Sequence, residues 1–221
     1  MKQIPILYEN SDILIVNKQS GLAVQGGQGI LHPLDEVLAN QIGQKVFLVH
    51  RLDKDTAGIL LVAKNPKAAA NYTKIFAGKS ATKEYIAFSA GIPNKKNGTI
   101  CQNVSTKGIE KNALTMYKVL KTAQKQDENG ENLEASKIFI TLGTGRMHQI
   151  RIHLSSINSP IIADDKHGNF AINKKFKKAF GAKKLMLASC RLTLPLEGKM
   201  QTFTIDLPEY MQNFEEKFFD L

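Results

Sequence analysis

Cysteine is nearly absent: Cys101 and Cys190 are the only two. Two cysteines cannot build a disulfide framework, and no zinc-type Cys/His spacing accompanies them. A reducing cytoplasm is therefore the expected compartment. Long apolar runs are missing too. The longest, Ile59–Ala63, falls far short of the roughly 20 residues that a membrane helix needs. Residues 1–10 lack the apolar segment of a secretory signal, so none is expected. Acidic charge is scarce: 20 Asp and Glu stand against 30 Lys and Arg, a net charge of +10. The remaining composition is ordinary, with 43% hydrophobic and 23% charged residues in 221. It excludes intrinsic disorder for most of the chain and suits one sizeable core. A basic surplus of this size fits a polyanionic partner, or simply solubility. Where the charge sits has to decide between them.

The pattern along the chain predicts mixed elements. Ile4–Tyr8 and Ile13–Asn17 flank a polar turn and read as two short strands. Gly21–Gly29 is a loop that fits neither a dinucleotide fingerprint nor a phosphate-binding loop. Leu34, Val37, Leu38 and Ile42 carry helical spacing. Val46–Leu52 and Ile59–Ala63 read as strands. Asn65-Pro66 reads as an N-cap followed by Pro at the first helical position, and Gly78 as the C-terminal stop, which gives a helix over Pro66–Ala77. Thr82–Ala90, Leu114–Lys121 and Lys137–Leu142 read as strands, with Gln124–Glu134 as an exposed loop. Arg146–Ile157 places Met147, Ile150, Leu154 and Ile157 on one helical face. Ile161–Ala163 is short and strand-like. Leu185–Leu194 and Met200–Leu207 form a hairpin through Glu197-Gly198, and Pro208–Phe218 closes as a helix with Met211, Phe214 and Phe218 inward. Hairpins and isolated helices without alternating βαβ units indicate α+β. No linker divides the chain, so residues 1–221 are expected to form a single domain.

Four constellations carry possible chemistry. His50-Arg51-Leu52-Asp53 ends an apolar run before a turn, where the Asp can serve as nucleophile, as general base, or merely as a turn cap. In Arg146–Leu154, Arg151 borders the apolar face. Such an Arg either snorkels to solvent, the commoner outcome, or pairs with a carboxylate. His148 and His153 are five apart, which is wrong for two metal ligands on one helix face. Asp164-Asp165 reads as a turn. Lys83 and Tyr85 share one side of a strand, and the Tyr can stack on a base or pack across strands. Lys166–Lys184 holds seven lysines and no acid, interleaved with Phe170, Phe176 and Phe180; Lys64–Lys96 holds seven against Glu84. A solvated helix with its Phe residues inside and a phosphate-contacting surface are compatible readings.

Taken in order, these segments resemble the RluA-type pseudouridine synthases. Residues 50–64, HRLDKDTAGILLVAK, resemble the family's HRLD signature. Residues 83–85, KEY, resemble its K-x-Y element, and residues 145–154, GRMHQIRIHL, its G-R-x-H-Q-I-R-x-H-L element. Residues 159–168, SPIIADDKHG, are a weaker form of P-I-x-G-D-x-x-Y-G. The resemblance runs from about Ile4 to Leu207. Departures are Ala57 for Ser, Gln19 for Pro, Ala163 and His167 for the Gly and Tyr of the fourth element, and Ala188 for His.

The resemblance implies a largely antiparallel mixed sheet with flanking helices and a central catalytic cleft. It implies that Asp53 attacks a flipped uridine, at the ring or the anomeric carbon, without metal, redox step or cofactor. Burial would raise the pKa of such a carboxylate, and a guanidinium lowers it again. Arg151 is the implied partner, worth roughly 4 kcal/mol of Coulomb energy at ~4 Å and an effective dielectric of ~20 before desolvation. Tyr85 is implied to stack on the extruded base, and Arg51 to fill its place or contact the backbone. Lys83, Arg146, Lys174, Lys175, Lys177 and Lys178 are candidate phosphate contacts. The implied partner is structured ribosomal or transfer RNA, and the implied state a monomer. Larger relatives add an N-terminal RNA-binding domain, which is expected to be missing here because the opening hairpin starts at Ile4. Two rival readings are a non-catalytic RNA-binding or ribosome-assembly factor and a metal-dependent phosphodiesterase. Pure binding has no need of the Asp53, Tyr85 and Arg151 trio, and the His and Asp spacing disfavours the metal site.

Overall fold

The computed structural model describes residues 3–106 and 108–220. Chain order begins with β1 (Ile6–Glu9), β2 (Ile13–Lys18), α1 (Leu34–Ile42), β3 (Phe47–Leu48), β4 (Ala57–Ala63) and α2 (Pro66–Ala77). β5 (Thr82–Ala90), β6 (Asn97–Cys101), β7 (Val104–Thr106), β8 (Ile109–Lys111), β9 (Leu114–Gln126) and β10 (Asn132–Leu142) follow. α3 (Gln149–Ser156), α4 (Phe170–Phe180), β11 (Leu187–Leu196), β12 (Lys199–Thr204) and α5 (Glu209–Phe219) complete the order. The fold is α+β, as the patterning predicts, and largely antiparallel, as the resemblance implies. The chain divides into two compact units, Met1–Lys83 with Ser189–Asp206, and Glu84–Ala188 with Leu207–Leu221.

In the first unit the strand order is β1-β2-β4-β11, with β12 on β11 and β3 on β4. The hairpins β1/β2 and β11/β12, and the pairs β2/β4 and β3/β4, are antiparallel. Ile13, Leu14, Ile15 and Val16 are fully buried, so both faces of β2 are covered, and every residue of β4 is buried. One face packs Ile13, Ile15, Ile59 and Leu61 against Ala68 and Tyr72 of α2 and Leu192 and Leu194 of β11. α2 spans the predicted residues, and the Asn65 side chain accepts the Ala68 N–H at 2.8 Å. Gly78 ends the helix at φ −77°; the left-handed residue is Lys79. Only Phe47–Leu48 of the predicted Val46–Leu52 strand pairs. The hairpin turn at Glu197-Gly198 has both residues at positive φ, the geometry of a two-residue loop between twisted strands.

In the second unit the order is β5-β10-β9-β6, and β7/β8 form a separate ribbon. Gln124–Glu134 is not a loop: β9 and β10 run through it as a hairpin, and only residues 127–131 turn. The signal is weak because the facing pair is Ala135 and Ala123, flanked by Gln and Lys, with little contrast in hydropathy. α3 starts at Gln149, later than expected. His148 stands at φ 55°, and the Gln149 side chain accepts the Arg146 N–H at 3.0 Å, holding a turn where a helix was expected. Met147 is therefore exposed, not inward. Phe170 is exposed as well and Phe180 is half-buried; Phe176, Phe214 and Phe218 are buried, pack against one another and reach the buried Phe88. Each such ring contributes roughly 2–3 kcal/mol of burial.

Gly58 shows how tightly β4 and β11 approach. Its φ is +118°, and a Cβ there would lie 2.2 Å from the Ser189 carbonyl oxygen. Gly58→Ala is expected to cost about 3–5 kcal/mol, from overpacking and backbone strain together. Gly181→Ala, at positive φ but with open space around it, is expected to cost only about 1 kcal/mol. Urea denaturation of the two variants checks the difference.

Candidate active site

In the first unit, HRLD joins β3 to β4. The half-buried His50 ring stacks on Phe76 at 4.2 Å between centroids. Its Nε2 accepts the Leu61 N–H at 3.0 Å, so a neutral ring carries its proton on Nδ1. Burial, helped by the charge of Lys83, pushes its pKa down to about 3. His50 is thus a latch that fixes where the segment leaves the sheet. Leu52 is buried, Arg51 is exposed and Asp53 is half-buried. The Asp53 carbonyl accepts the Thr56 N–H at 3.1 Å, which closes a tight turn immediately before β4. Lys83 stands with its ammonium 5.7 Å from the centre of the Phe76 ring, and burial lowers its pKa.

A residue that the sequence reading passed over lies against this turn. Lys18 is fully buried. Its Nζ donates to the carbonyls of Gln19 (3.1 Å), Leu22 (2.8 Å) and Lys54 (2.9 Å). Burial brings its pKa down to about 7, although Asp55 and Asp53 favour the charged form. The signal was available: Leu14, Val16 and Lys18 alternate onto one face of a strand whose first four residues are all apolar and buried.

In the second unit, Arg151 does not snorkel. It is 3% exposed on α3, and its guanidinium grips Asp164 with both prongs, Nε to Oδ2 at 2.7 Å and Nη2 to Oδ1 at 2.6 Å. Asp165, largely exposed, lies 3.4 Å away. Asp164 Oδ1 also accepts the N–H groups of Lys166 (2.9 Å) and His167 (3.0 Å). Burial alone would raise this carboxyl; Arg151 and the two N–H groups outweigh it and hold the pKa below the usual range. The Asp164-Asp165 turn is thus also the seat of the arginine's counter-ion, and a helical Arg followed 13 residues later by paired carboxylates was its only sequence trace.

His167 Nε2 and His148 Nδ1 share a hydrogen bond of 2.9 Å. His153 is buried between Thr115 Oγ1 and the Gln102 carbonyl. Tyr85 is buried opposite Ile140 in the sheet. Arg146 is exposed, its Nε reaching the Asn112 carbonyl at 3.3 Å. Along α4, Lys174 and Lys177 are exposed, whereas Lys175 and Lys178 pair with Glu131 and Glu128 at the β9/β10 turn. Those carboxylates raise the pKa of both lysines. The structure therefore groups Arg51, Asp53 and Lys83 in one unit, and Tyr85, Arg146, Arg151 and the α4 lysines in the other.

The sequence pattern of the RNA pseudouridylate synthase family matches residues 12–156. Ribosomal large subunit pseudouridine synthase C of Rickettsia felis is 35% identical over 96% of this chain and 70% of its own length. Ribosomal large subunit pseudouridine synthase D of Yersinia pestis is 30% identical over 95% of this chain and 70% of its own. Among solved structures, human RNA pseudouridylate synthase domain containing 4 superposes with a TM-score of 0.77 at 22% identity, covering 96% of this chain and 92% of that one. That last likeness speaks for the fold.

The buried ion pair has a measurable consequence. Asp164→Asn keeps the shape but removes the principal counter-ion, and is expected to cost about 3 kcal/mol or more, a fall in Tm of roughly 10 °C for a chain of this size. The folded pKa lies below the unfolded value of about 3.9, so the unfolded state takes up the proton first on acidification. The contribution is complete above about pH 4 and fades as pH falls through the folded value. Urea midpoints measured between pH 3 and 6 should show wild type and variant converging towards the acid end; parallel curves would reject the assignment.

Proposed function

Because the chain belongs to the RNA pseudouridylate synthase family, we propose that it isomerises uridine in large-subunit ribosomal RNA, with Asp53 as the nucleophile. RNA pseudouridine synthases are isomerases, and the relatives named above act on the large ribosomal subunit by name. The observation that carries the nucleophile is the Asp53 turn. A half-buried carboxylate sits where the backbone is fixed on both sides, by the His50 latch and by Thr56, beside an exposed arginine. A nucleophile held on a rigid turn pays little ordering entropy in the reaction.

The chemistry follows from bond accounting. Asp53 adds to the uridine at the ring or the anomeric carbon. The bond from ring nitrogen to anomeric carbon breaks, the uracil rotates, and carbon 5 of the ring bonds to the anomeric carbon. The hydrogen on carbon 5 leaves as a proton, the ring nitrogen freed from the sugar takes up a proton, and the carboxylate is released. Substrate and product have the same composition, so no electrons are supplied or removed, and the reaction proceeds without a cofactor. Arg151, oriented by Asp164, and Tyr85 keep the roles that the resemblance implies. Arg51 takes the place of the flipped nucleotide. Extrusion costs a few kcal/mol and least in a loop, which favours an unpaired or loosely paired uridine. Lys83, Arg146, Lys174, Lys175, Lys177 and Lys178 supply phosphate contacts. On α4 the exposed Lys174 and Lys177 meet RNA most readily, because Lys175 and Lys178 must first exchange a carboxylate for a phosphate.

Tritium release from ribosomal RNA labelled at carbon 5 of uridine tests the chemistry. Wild type should release one tritium per pseudouridine formed, and Asp53→Asn should slow release by at least about a thousandfold. Turnover by that variant would remove Asp53 from the role. For the surface, replacing both Lys174 and Lys177 by alanine should lower the slope of log affinity against log salt by about 1.4, at roughly 0.7 per lost single-strand contact. An unchanged slope would show that α4 does not touch the RNA.

A further inference from the structure

Among the described residues, every phenylalanine and tyrosine is buried or half-buried except one. Phe170, the first residue of α4, is 86% exposed. The helix has inward positions for rings and fills them: Phe176 and Phe180 pack on Phe214 and Phe218. Phe170 is not a spare member of that cluster, because it lies about 120° around the helix from Phe176. A single exposed apolar side chain says little by itself. Its neighbours say more.

Lys174 and Lys177, both exposed, follow Phe170 at four and seven residues. The three residues fall within an arc of about 60°, and the lysines stand roughly 6 and 10 Å beyond the ring along the helix axis. The stripe is thus one ring followed by two cations, on a helix with no acidic residue. The carboxylates of the β9/β10 turn, Glu131 and Glu128, are met by Lys175 and Lys178, to one side of the stripe. A π-face for a base and cations for phosphates are what an unpaired nucleic-acid strand requires. One ring among ammonium groups offers too little apolar area for a protein groove.

The platform is also rigid. Asn169 caps α4 by accepting the Ile172 N–H at 3.1 Å. One turn on, Asn173 donates to the Asp164 carbonyl at 2.9 Å and accepts the Ala163 N–H at 2.9 Å. Asp164 is the residue that orients Arg151. The ring is therefore carried on a helix end tied to the same anchor as that guanidinium. We propose that Phe170 stacks on an unpaired nucleobase of the RNA, with Lys174 and Lys177 on the phosphates that follow, so that α4 selects single-stranded over paired RNA. This rests on the partner being RNA, as the proposed function has it. Every base has a π-face, so the platform reads pairing state and not sequence. In a duplex both faces of each base are already covered, and the ring has nothing to stack on.

Anisotropy titration of an unpaired RNA strand without uridine measures binding with no turnover. Phe170→Ala should weaken binding roughly tenfold, and Phe170→Trp should hold it within about twofold. No cation is lost, so the slope of log affinity against log salt should stay as in wild type, unlike that of the Lys174 and Lys177 replacement. The same strand annealed to its complement should bind wild type and Phe170→Ala alike. The chain has no tryptophan, so Phe170→Trp supplies a single indole, whose emission should be quenched by the unpaired strand and not by the duplex. The Tm of Phe170→Ala should move by no more than about 2 °C, which separates lost binding from lost fold. Equal affinity of wild type and Phe170→Ala for the unpaired strand would overturn the platform. If that variant also lost a self-association seen in sedimentation, the face would belong to a second copy of the chain. An equal loss on paired RNA would overturn the selectivity for single strands. Absence of tritium release by wild type would overturn the proposed reaction instead, and leave the stacking standing as a separate result.

Discussion

A carboxylate buried to 1% exposure anchors the second unit. Asp164 accepts four hydrogen bonds: two from the prongs of Arg151, and one each from the N–H groups of Lys166 and His167. Its backbone carbonyl receives the Asn173 side chain, which in turn accepts the Ala163 N–H. Three stretches that are distant in sequence order, α3, the turn after Ile161 and the first turns of α4, are therefore fixed by one residue. A buried ion pair of this kind adds little net stability over a well-packed apolar pair, but removing one member is costly. What it contributes is a single orientation for Arg151 among the many rotamers available to that side chain.

Most of the elements were legible because local chemistry and burial agree. At α2, an N-cap Asn, a Pro at the first helical position and an amphipathic run all indicate the same boundaries. At β11/β12, the Glu197-Gly198 turn supplies the positive φ that a two-residue hairpin needs. Legibility failed where local patterns conflict with tertiary bonds. The helical spacing of Met147 with Ile150 is genuine, yet the buried Gln149 spends its amide on Leu114, Thr115 and the Arg146 N–H, and that fixes a turn before the helix. The Gln124–Glu134 stretch failed for the opposite reason. Its strands carry only one buried apolar side chain, Leu133, and their pairing is set by continuity with the apolar halves of β9 and β10.

The site was legible as residues but not as a network. The HRLD segment advertises its Asp through the motif, whereas the partners that shape it, Lys18 and the His50 latch, speak only through burial. His50 looks from sequence like a chemical group beside a nucleophile; in the structure it is neutral, stacked and committed to the Leu61 amide. Arg151 shows the same asymmetry. Its type and spacing mark it as important, but a sequence cannot distinguish a snorkelling arginine from one whose counter-ion arrives 13 residues later in a turn. Hydrogen bonds to backbone atoms carry no sequence signature at the acceptor, and the three acceptors of Lys18 are all backbone.

The basic surplus divides along the same line. Lys18 is buried, and Lys64 is paired with Glu9 at 2.7 Å. These cations are structural, so the formal +10 overstates the charge presented to a polyanion. The pairs on α4 are different. Lys175 and Lys178 meet Glu131 and Glu128 at the surface, where an ion pair is worth little and salt screens it. A phosphate can replace either carboxylate at small cost. The bidentate grip of Arg151 on Asp164 is shielded from water and backed by two N–H groups, so the same exchange there would strand a buried carboxylate. Depth of burial, more than the count of positive residues, separates the cations that can serve RNA from those that hold the fold.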